Sequence, residues 1–177
     1  MSKAAVAAME NPMRKVGLAK VVLNIGVGRA GEGVERAKKI LEELTSQTPS
    51  GRRAKKSIRD FGVHLGEPIG AATTLRGELA TEVLRRLLQA KDSRIPESSF
   101  DQQGNCSFGI REHIDIPGVR YRPELGIFGM DVAVVLERPG YRVSRRRRGR
   151  ASIGGSHRVS REDAISYLKT DFGVEVS

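Results

Sequence analysis

The chain has 177 residues, enough for one domain with a proper core or at most two small lobes. Its formal net charge of +10 and pI near 10.2 favour polyanionic partners such as nucleic acid or anionic lipid. A single cysteine excludes an internal disulfide scaffold, and no apolar run approaches the roughly 20 residues that span a bilayer, so we expect a soluble, cytosolic protein without a membrane segment.

The first half of the chain predicts a strand, a helix and two further strands. A run rich in Val, Ile and Leu predicts a strand over Leu18–Val27. From Gly33 apolar residues recur every three or four positions and predict a helix, which Pro49 ends. Alternating patterns then favour strands over Ile58–Leu65 and Ile69–Arg76. In the second of these, one predicted face carries Ile69, Ala71, Thr73 and Leu75, and the other carries Ala72, Thr74 and Arg76.

The second half predicts two helices and two strands. A leucine-rich stripe predicts a helix over Glu78–Ala90. One strand is marked by Phe108, Ile110, Ile114 and Ile116, and a longer one by Met130, Val132, Val134 and Leu136. Between them, PGVRYRPELG predicts a loop. Ser160–Asp163 has the form of a capping box that opens a short helix, which Gly173 closes.

This order of elements predicts an α+β fold. Strands joined by short turns imply antiparallel pairing, so we expect an antiparallel sheet with helices packed on one face. The other face would stay open to solvent or a ligand. On the predicted strand phases that open face carries small and polar residues, namely Asn24, Ala72, Thr74 and Arg76.

The positive charge is concentrated in two segments. Residues 52–59 read RRAKKSIR, with five cations and no acid, and residues 138–150 read RPGYRVSRRRRGR, with seven arginines and no acid. Together they hold 12 of the 31 Lys and Arg residues. A solvated surface is the ordinary interpretation of a charge run, but the absence of compensating acids favours loops or extended arms that bind a polyanion.

A G-x-G-x-x-G pattern in KVVLNIGVGRAG raises the possibility of dinucleotide binding. The pattern falls on Gly26, Gly28 and Gly31. A dinucleotide site also needs a second parallel strand that ends in an acidic residue about 20 positions later. Here the basic stretch SQTPSGRRAKKSIR occupies that place. We therefore interpret the glycines as a sharp strand-to-helix turn that also lets another backbone approach closely, with phosphate contact by the helix N-terminus as a further possibility.

Signals for catalysis, metals and cofactors are weak. The three histidines are scattered, Cys106 is isolated, and no metal-ligand spacing is present. We expect no catalytic residue, metal or cofactor. Three classes stay open at this point: a ribosomal RNA binder, a general DNA- or RNA-binding protein that explains the charge alone, and an NAD enzyme that explains only the three glycines.

Six segments occur in an order that resembles one protein family. They are KVVLNIGVG (20–28), TSQTP (45–49), RAKKSIRDFGV (53–63), GEPIGAATTLRG (66–77), FDQQGNCSFGIREH (100–113) and GIFGMDVAV (126–134). In series they resemble the universal large-subunit ribosomal protein L5 family, which binds 5S ribosomal RNA. The tail from residue 138 resembles its archaeal and eukaryotic branch. The resemblance runs from about residue 14 to the C-terminus.

The resemblance implies an α+β fold whose open sheet face docks on 5S rRNA in the central protuberance of the large subunit, in cytoplasmic ribosomes. It assigns 5S rRNA contacts to Asn24, Gln47 and Thr74, and the strand phase adds Arg76 beside Thr74. The loop around Gly51–Ser57 is similar to one that reaches the peptidyl-site tRNA, which would involve Arg52, Arg53, Lys55 and Lys56.

Further contacts are implied for the arginine-rich segment and for a loop. The arginines expected to touch large-subunit rRNA are Arg142, Arg145, Arg146, Arg147, Arg148 and Arg150. The segment Arg111–Tyr121 is similar to one that faces a small-subunit head protein across an intersubunit bridge, so neighbouring ribosomal proteins are also expected partners. We expect residues 14–177 to form one RNA-binding domain, with an N-terminal part of about 14–65 and a C-terminal part of about 66–177. Residues 1–13 are expected to be a disordered N-terminal segment.

The chain departs from the family pattern at three positions. Cys106 stands where an aromatic residue is frequent, so a stacking role there is not expected. Thr73 replaces a core-facing valine, and its hydroxyl would then need a partner. TSQ replaces TGQ, which leaves Gln47 itself in place.

Overall fold

The computed structural model describes residues 11–177. The expectation of disorder over residues 1–13 therefore lies outside the described residues for all but its last three positions. At those positions Pro12–Arg14 form a 3-10 turn, and the Asn11 side chain accepts a hydrogen bond from the Met13 N–H at 3.0 Å.

Ten strands and helices follow in chain order. They are β1 (Gly17–Gly26), α1 (Glu32–Thr45), β2 (Ser50–Arg53), β3 (Pro68–Leu75), α2 (Gly77–Gln89), β4 (Arg94–Ile95), β5 (Cys106–Ile110), β6 (Met130–Glu137), α3 (Arg161–Phe172) and β7 (Glu175–Val176). Five strands form one antiparallel sheet in the order β2-β3-β1-β6-β5. The short strands β4 and β7 pair in parallel beside the C-terminus.

The sheet has one buried face because its strands alternate between apolar and other residues. On β1, Val21, Leu23 and Ile25 are fully buried. Their register partners on β6 and β3 extend the same apolar face. Buried apolar residues from each of the three helices belong to the same cluster. The predicted α+β fold, with an antiparallel sheet and helices on one face, is confirmed.

Helix boundaries follow local chemistry. α1 ends at Thr45 because Ser46 takes a left-handed conformation (φ 53°), and its N–H closes on the Glu42 carbonyl. α3 begins with the predicted capping box: Ser160 Oγ accepts from the Asp163 N–H, and the Asp163 carboxylate accepts from the Ser160 N–H. The predicted closure of this helix at Gly173 is also observed, at φ 67°.

The strand predicted over Ile58–Leu65 is wrong. Arg59–Phe61 form a 3-10 turn that ends at Gly62 (φ 62°), and a single bridge joins Ile58 to Val63. The segment joins no strand of the sheet, and its one bridge lies within the loop itself. The segment is therefore a folded loop that leaves two of its three alternating apolar side chains exposed.

The strand predicted through Ile116 is too long. β5 stops at Ile110, and His113–Asp115 form a 3-10 turn. Ile116 is 1% exposed, so its apolar character comes from packing of this turn into the core.

The loop predicted at the first basic segment begins as a strand. Ser50–Arg53 form the edge strand β2, although all four residues are exposed. Because none of its residues is buried, no apolar pattern in the sequence marks this strand.

Candidate nucleic-acid interface

One face of the five-stranded sheet lies outside the helical core, and we call it the open face. Because side chains alternate along each strand and paired residues share a face, the register defines its members. They are Ser50 and Arg52 on β2, Ala72 and Thr74 on β3, Lys20, Val22 and Asn24 on β1, Asp131, Ala133 and Val135 on β6, and Ser107 and Gly109 on β5. Small side chains over β1, β5 and β6 leave a shallow groove of about 390 Å³.

Asn24 and Thr74 lie on this face as predicted. Thr74 is opposite Val22 in the register, and Asn24 is opposite Ala72, so the two polar side chains are diagonal neighbours on adjacent strands. Asn24 is half-buried and Thr74 is exposed. Within residues 11–177 neither side chain has a hydrogen-bond partner, so both amide and hydroxyl groups are available to a ligand.

Gln47 and Arg76 lie at one end of this face. Arg76 follows β3 directly and is exposed at the N-cap of α2. β2 enters the sheet at Ser50, opposite Ala72, and runs toward the start of β3. Gln47, three residues earlier, therefore lies toward the Thr74 end of the sheet, and it is exposed. Three of the four predicted 5S rRNA-contacting residues, Gln47, Thr74 and Arg76, are thus exposed toward one end of the sheet, and Asn24 lies further along β1.

Asp131 is a polar member of the open face that the sequence patterns did not single out. It is exposed and stands directly opposite Asn24 in the β1–β6 register. A Cβ atom at Gly109 would lie 3.9 Å from its Oδ1, so the neighbouring strand leaves the carboxylate open. The signal was its place in the alternation of β6, between buried Met130 and Val132.

The first basic segment forms an edge strand and a closed loop. Arg52 and Arg53 are exposed at the end of β2, and Lys55 and Lys56 are exposed in the turn that follows. Buried Ala54 anchors this turn: its N–H donates to the Glu67 carbonyl at 2.8 Å, and its own carbonyl accepts from Gly66 at 3.0 Å. We call residues 54–67 the basic loop. Within the described chain none of the four predicted cations in this segment forms an ion pair.

The second basic segment is partly occupied by internal contacts. Arg138 is paired with Asp163 at 2.7 Å and Arg145 with Glu137, while Arg146 Nε donates to the Gly149 carbonyl at 2.8 Å. The remaining predicted arginines are exposed and form no ion pair within residues 11–177; they are Arg142, Arg147, Arg148 and Arg150. These four arginines therefore leave unpaired positive charge on residues 138–150, which we call the arginine arm.

Tyr141 fixes the start of the arm. The Tyr141 hydroxyl accepts a hydrogen bond from the Val159 N–H at 2.9 Å, and its ring lies 6.2 Å from the His157 ring. The segment Tyr141–Ser144 is a 3-10 turn. The beginning of the arm is thus packed on the chain that leads into α3.

The two basic segments lie at opposite ends of the sheet. The register pairs Gly17 with Glu137, so the arm leaves the sheet where β1 starts. It pairs Gly26 with Gly70, so the basic loop lies where β1 ends. The segment that follows β5 at Ile110 leaves at this second end as well. The two basic segments of the sequence therefore lie on separate surfaces of the protein.

The glycine motif does not form a dinucleotide site. The strand beside β1 is the antiparallel β3, and β2, which follows α1, ends in arginines rather than an acid. Gly28 (φ 78°) and Gly31 (φ 128°) make the turn into α1, as expected. The close approach of two backbones occurs instead at Gly70, where a Cβ would lie 2.7 Å from the Ile25 carbonyl oxygen.

The N-terminus of α1 is also poorly suited to phosphate. Its first turn carries Glu32 and Glu35, which pair with Arg36 and Lys38 at 2.8 and 2.7 Å. These carboxylates occupy the positive end of the helix dipole. A phosphate there would be repelled by both of them.

Two buried titratable groups are held in their neutral forms. Burial raises the pKa of the Cys106 thiol to about 12, and the nearby charge of Asp101 adds to the shift. Cys106 points into the core, which rules out stacking on a base. Burial lowers the pKa of His113, although backbone hydrogen bonding with Phe128 and the charges of Glu43 and Glu112 oppose the shift. The Phe128 N–H donates to the Nδ1 of the neutral ring at 3.4 Å. The neutral ring secures the segment between β5 and β6.

The described residues contain no features of two other kinds of site. Across residues 11–177, no three His, Cys, Asp or Glu side chains are grouped so that they could hold a metal ion. Over the same residues, no helix has both the length and the apolar character needed to cross a membrane.

Comparison with known proteins identifies the family of this chain. Residues 11–64 match the family model for ribosomal protein L5, and residues 68–167 match the model for the C-terminus of the same ribosomal family. The chain is 56% identical to the large ribosomal subunit protein uL5 of Sulfurisphaera tokodaii, over 94% of each chain. It is 50% identical to the uL5 protein of Nitrosopumilus maritimus, over 95% of this chain and 97% of that one. The chain therefore belongs to the ribosomal protein L5 family, whose role is structural and not enzymatic.

Proposed function

We propose that this chain binds 5S rRNA through the open face of its sheet, within the central protuberance of the large ribosomal subunit. Family membership makes it a structural protein of the large subunit in cytoplasmic ribosomes. The RNA partner and the contacts are the proposal. The observation that supports them best is the group of accessible, unpartnered polar side chains on a sheet face that no helix of the core covers.

The chemistry of the open face suits RNA. Asn24 offers both donors and acceptors, Thr74 offers a hydroxyl, and Asp131 offers acceptors only. RNA exposes 2′-hydroxyls and base edges that can pair with all three kinds of group. Lys20 and Arg76 add positive charge for the phosphates. Because Asp131 repels phosphate, it favours a donor such as a 2′-hydroxyl or a base amino group at its position.

We also assign different RNA partners to the two basic segments. The basic loop and the adjacent Arg52 and Arg53 would contact the peptidyl-site tRNA, and the arginine arm would contact large-subunit rRNA. Their positions at opposite ends of the sheet support this division. The segment Arg111–Tyr121 leaves the sheet at the same end as the basic loop, so we propose that it faces a small-subunit head protein there. Arginine suits phosphate contacts because its planar fork can bridge two oxygens.

Titration against 5S rRNA and a length-matched scrambled RNA tests the main assignment. We expect a large preference for 5S rRNA that persists at physiological salt. If six phosphates are neutralised, log K should fall with log salt at a slope of roughly −4 to −5. Equal binding to both RNAs, lost together as salt rises, would favour a general nucleic-acid binder and contradict the proposal.

A quadruple variant tests the division between the basic segments. Replacing Arg52, Arg53, Lys55 and Lys56 with alanine should spare 5S rRNA binding, because of the four only Arg52 lies on the open face, at its edge strand, and should weaken tRNA binding to large subunits that carry the variant. A matched control replaces Arg142, Arg147, Arg148 and Arg150, which should leave tRNA binding unchanged. Loss of 5S rRNA binding by the first variant would contradict the assignment of the basic loop.

A further inference from the structure

Three large apolar side chains of the basic loop are exposed. Phe61 is 71% exposed, Leu65 68% and Ile58 43%. We call these three residues the apolar tip. They fall within eight positions of one loop, whereas Met13, Tyr121 and Ile127, the other large hydrophobics exposed in the described chain, come from two distant segments. A cluster of this kind marks a binding surface more often than an isolated exposed side chain does.

The apolar tip is held by hydrogen bonds within the loop. Ile58 and Val63 exchange backbone hydrogen bonds of 2.9 and 3.2 Å around the turn. Ser57 Oγ accepts from the Leu65 N–H at 2.9 Å, which fixes the return of the chain. A partner therefore meets a loop that is already closed, and little conformational entropy is lost on binding.

A groove lies between the apolar tip and the glycine turn. Its volume is about 1250 Å³, and Phe61 and Ile58 line it on the loop side while Val27 and Gly28 line it on the other. Arg29, Lys55 and Lys56 also line it, and none of them forms an ion pair within the described residues. The groove thus combines an aromatic wall, apolar surface and free cations.

We infer that Phe61 stacks on an exposed nucleobase of the tRNA, with the adjacent phosphates neutralised by Lys55 and Lys56. The inference rests on the proposed function, which assigns the basic loop to the peptidyl-site tRNA, and adds the kind of group that it recognises. An aromatic ring beside unpaired cations suits unpaired nucleotides, since every base has a flat face and a phosphate. Asp60 and Glu67 also line the groove, so we expect the phosphates on the side of Lys55 and Lys56. A protein partner would have to supply both an apolar contact and separate acidic groups, whereas each nucleotide carries a flat base and a phosphate together.

The test uses large subunits assembled with variant chains and measures tRNA affinity at the peptidyl site over a range of salt. Phe61→Leu keeps an apolar side chain without a ring, and Phe61→Trp keeps a ring. We expect Phe61→Leu to lower affinity roughly tenfold, the range of one lost base stack, with an unchanged salt slope. Phe61→Trp should bind as the natural chain does. Ile127→Ala, another exposed apolar position, is the control for a general surface effect.

The outcomes separate this inference from the proposed function. The salt slope should become shallower in Lys55→Ala/Lys56→Ala, by roughly 0.7 to 0.9 for each phosphate that is no longer neutralised. If that double variant weakens binding while Phe61→Leu binds normally, stacking is overturned and the tRNA assignment stands. If both variants bind normally, the tRNA assignment and the stacking fail together. Equal losses in Phe61→Leu and Phe61→Trp would also overturn stacking. The 5S rRNA content of the subunits confirms in each case that the variant has assembled.

Discussion

The two faces of the central sheet carry neighbouring residues with opposite roles. Leu23 and Thr73 point into the core, and Asn24 and Thr74, one position later on each strand, point to the open face. The core face is apolar apart from Thr73 and packs in one cluster with buried residues of the helices, while the open face carries the polar side chains Asn24 and Thr74. We therefore expect substitutions on the core face to change stability and substitutions at the adjacent open-face residues to change RNA binding.

The largest effect should come from the core face. Leu23 is fully buried, so Leu23→Ala should destabilise the protein by about 2–5 kcal/mol, through lost apolar burial and the cavity left behind. Chemical denaturation measures this loss. Val22→Ala, at a half-buried position on the open face, is the control and should cost much less. Comparable losses for the two variants would contradict the distinction between the faces.

Substitutions on the open face should act on RNA binding instead. Asn24→Ala and Thr74→Ala should each weaken 5S rRNA binding by about 1–3 kcal/mol, because polar groups of the RNA lose their partners. Their free energies of unfolding should stay close to that of the natural chain. Thr170→Ala is a matched control on α3, where the hydroxyl donates to the Ser166 carbonyl at 2.9 Å. Unchanged affinity in both open-face variants would remove the proposed binding face.

Thr73 should show the opposite behaviour to Thr74. It is 4% exposed, and its hydroxyl has no hydrogen-bond partner within the described residues, so the partner expected for it is missing. Thr73→Val should stabilise the protein by roughly 1 kcal/mol, since it removes an unpaired buried polar group at nearly constant volume. Thr45→Val is the control: this buried threonine donates to the Leu41 carbonyl at 2.6 Å and should lose stability. A loss of stability in Thr73→Val would show that its hydroxyl is satisfied.

The smallest effect should be a dependence of stability on pH that comes from the buried His113. The pKa of His113 is lowered by burial, so below the ordinary histidine pKa of about 6.5 the unfolded chain binds a proton that the folded chain resists. Stability should therefore fall as pH drops through and below 6.5. In His113→Gln this part of the pH dependence should disappear, whereas in exposed His64→Gln it should remain. Identical pH profiles for the natural chain and His113→Gln would contradict the assignment.

Sequence patterns predicted the face of the sheet but not its edges. The alternation in β3 placed Thr74 correctly because burial on one side requires it. β2 was missed because all its residues are exposed, so no apolar pattern marks it. The loop over Ile58–Leu65 was mistaken for a strand because Phe61 and Leu65, apolar but exposed, imitate core alternation.

The candidate site shows the same limit. Asn24 and Thr74 could be assigned because each belongs to a recognisable segment with a clear strand phase. Asp131 was not singled out, since only the register shows that it stands opposite Asn24. The separation of the two basic segments to opposite ends of the sheet also depends on strand order, which local patterns do not contain.

Site-specific crosslinking to 5S rRNA would test the open face most directly. A photoreactive phenylalanine analogue placed at exposed Ser107 would lie on the open face, and one placed at exposed Glu82 on α2 would lie on the helical side. The account predicts that the analogue at Ser107 crosslinks to 5S rRNA and that the one at Glu82 does not. Crosslinking from Glu82 alone would contradict it, because the RNA would then lie on the helical side.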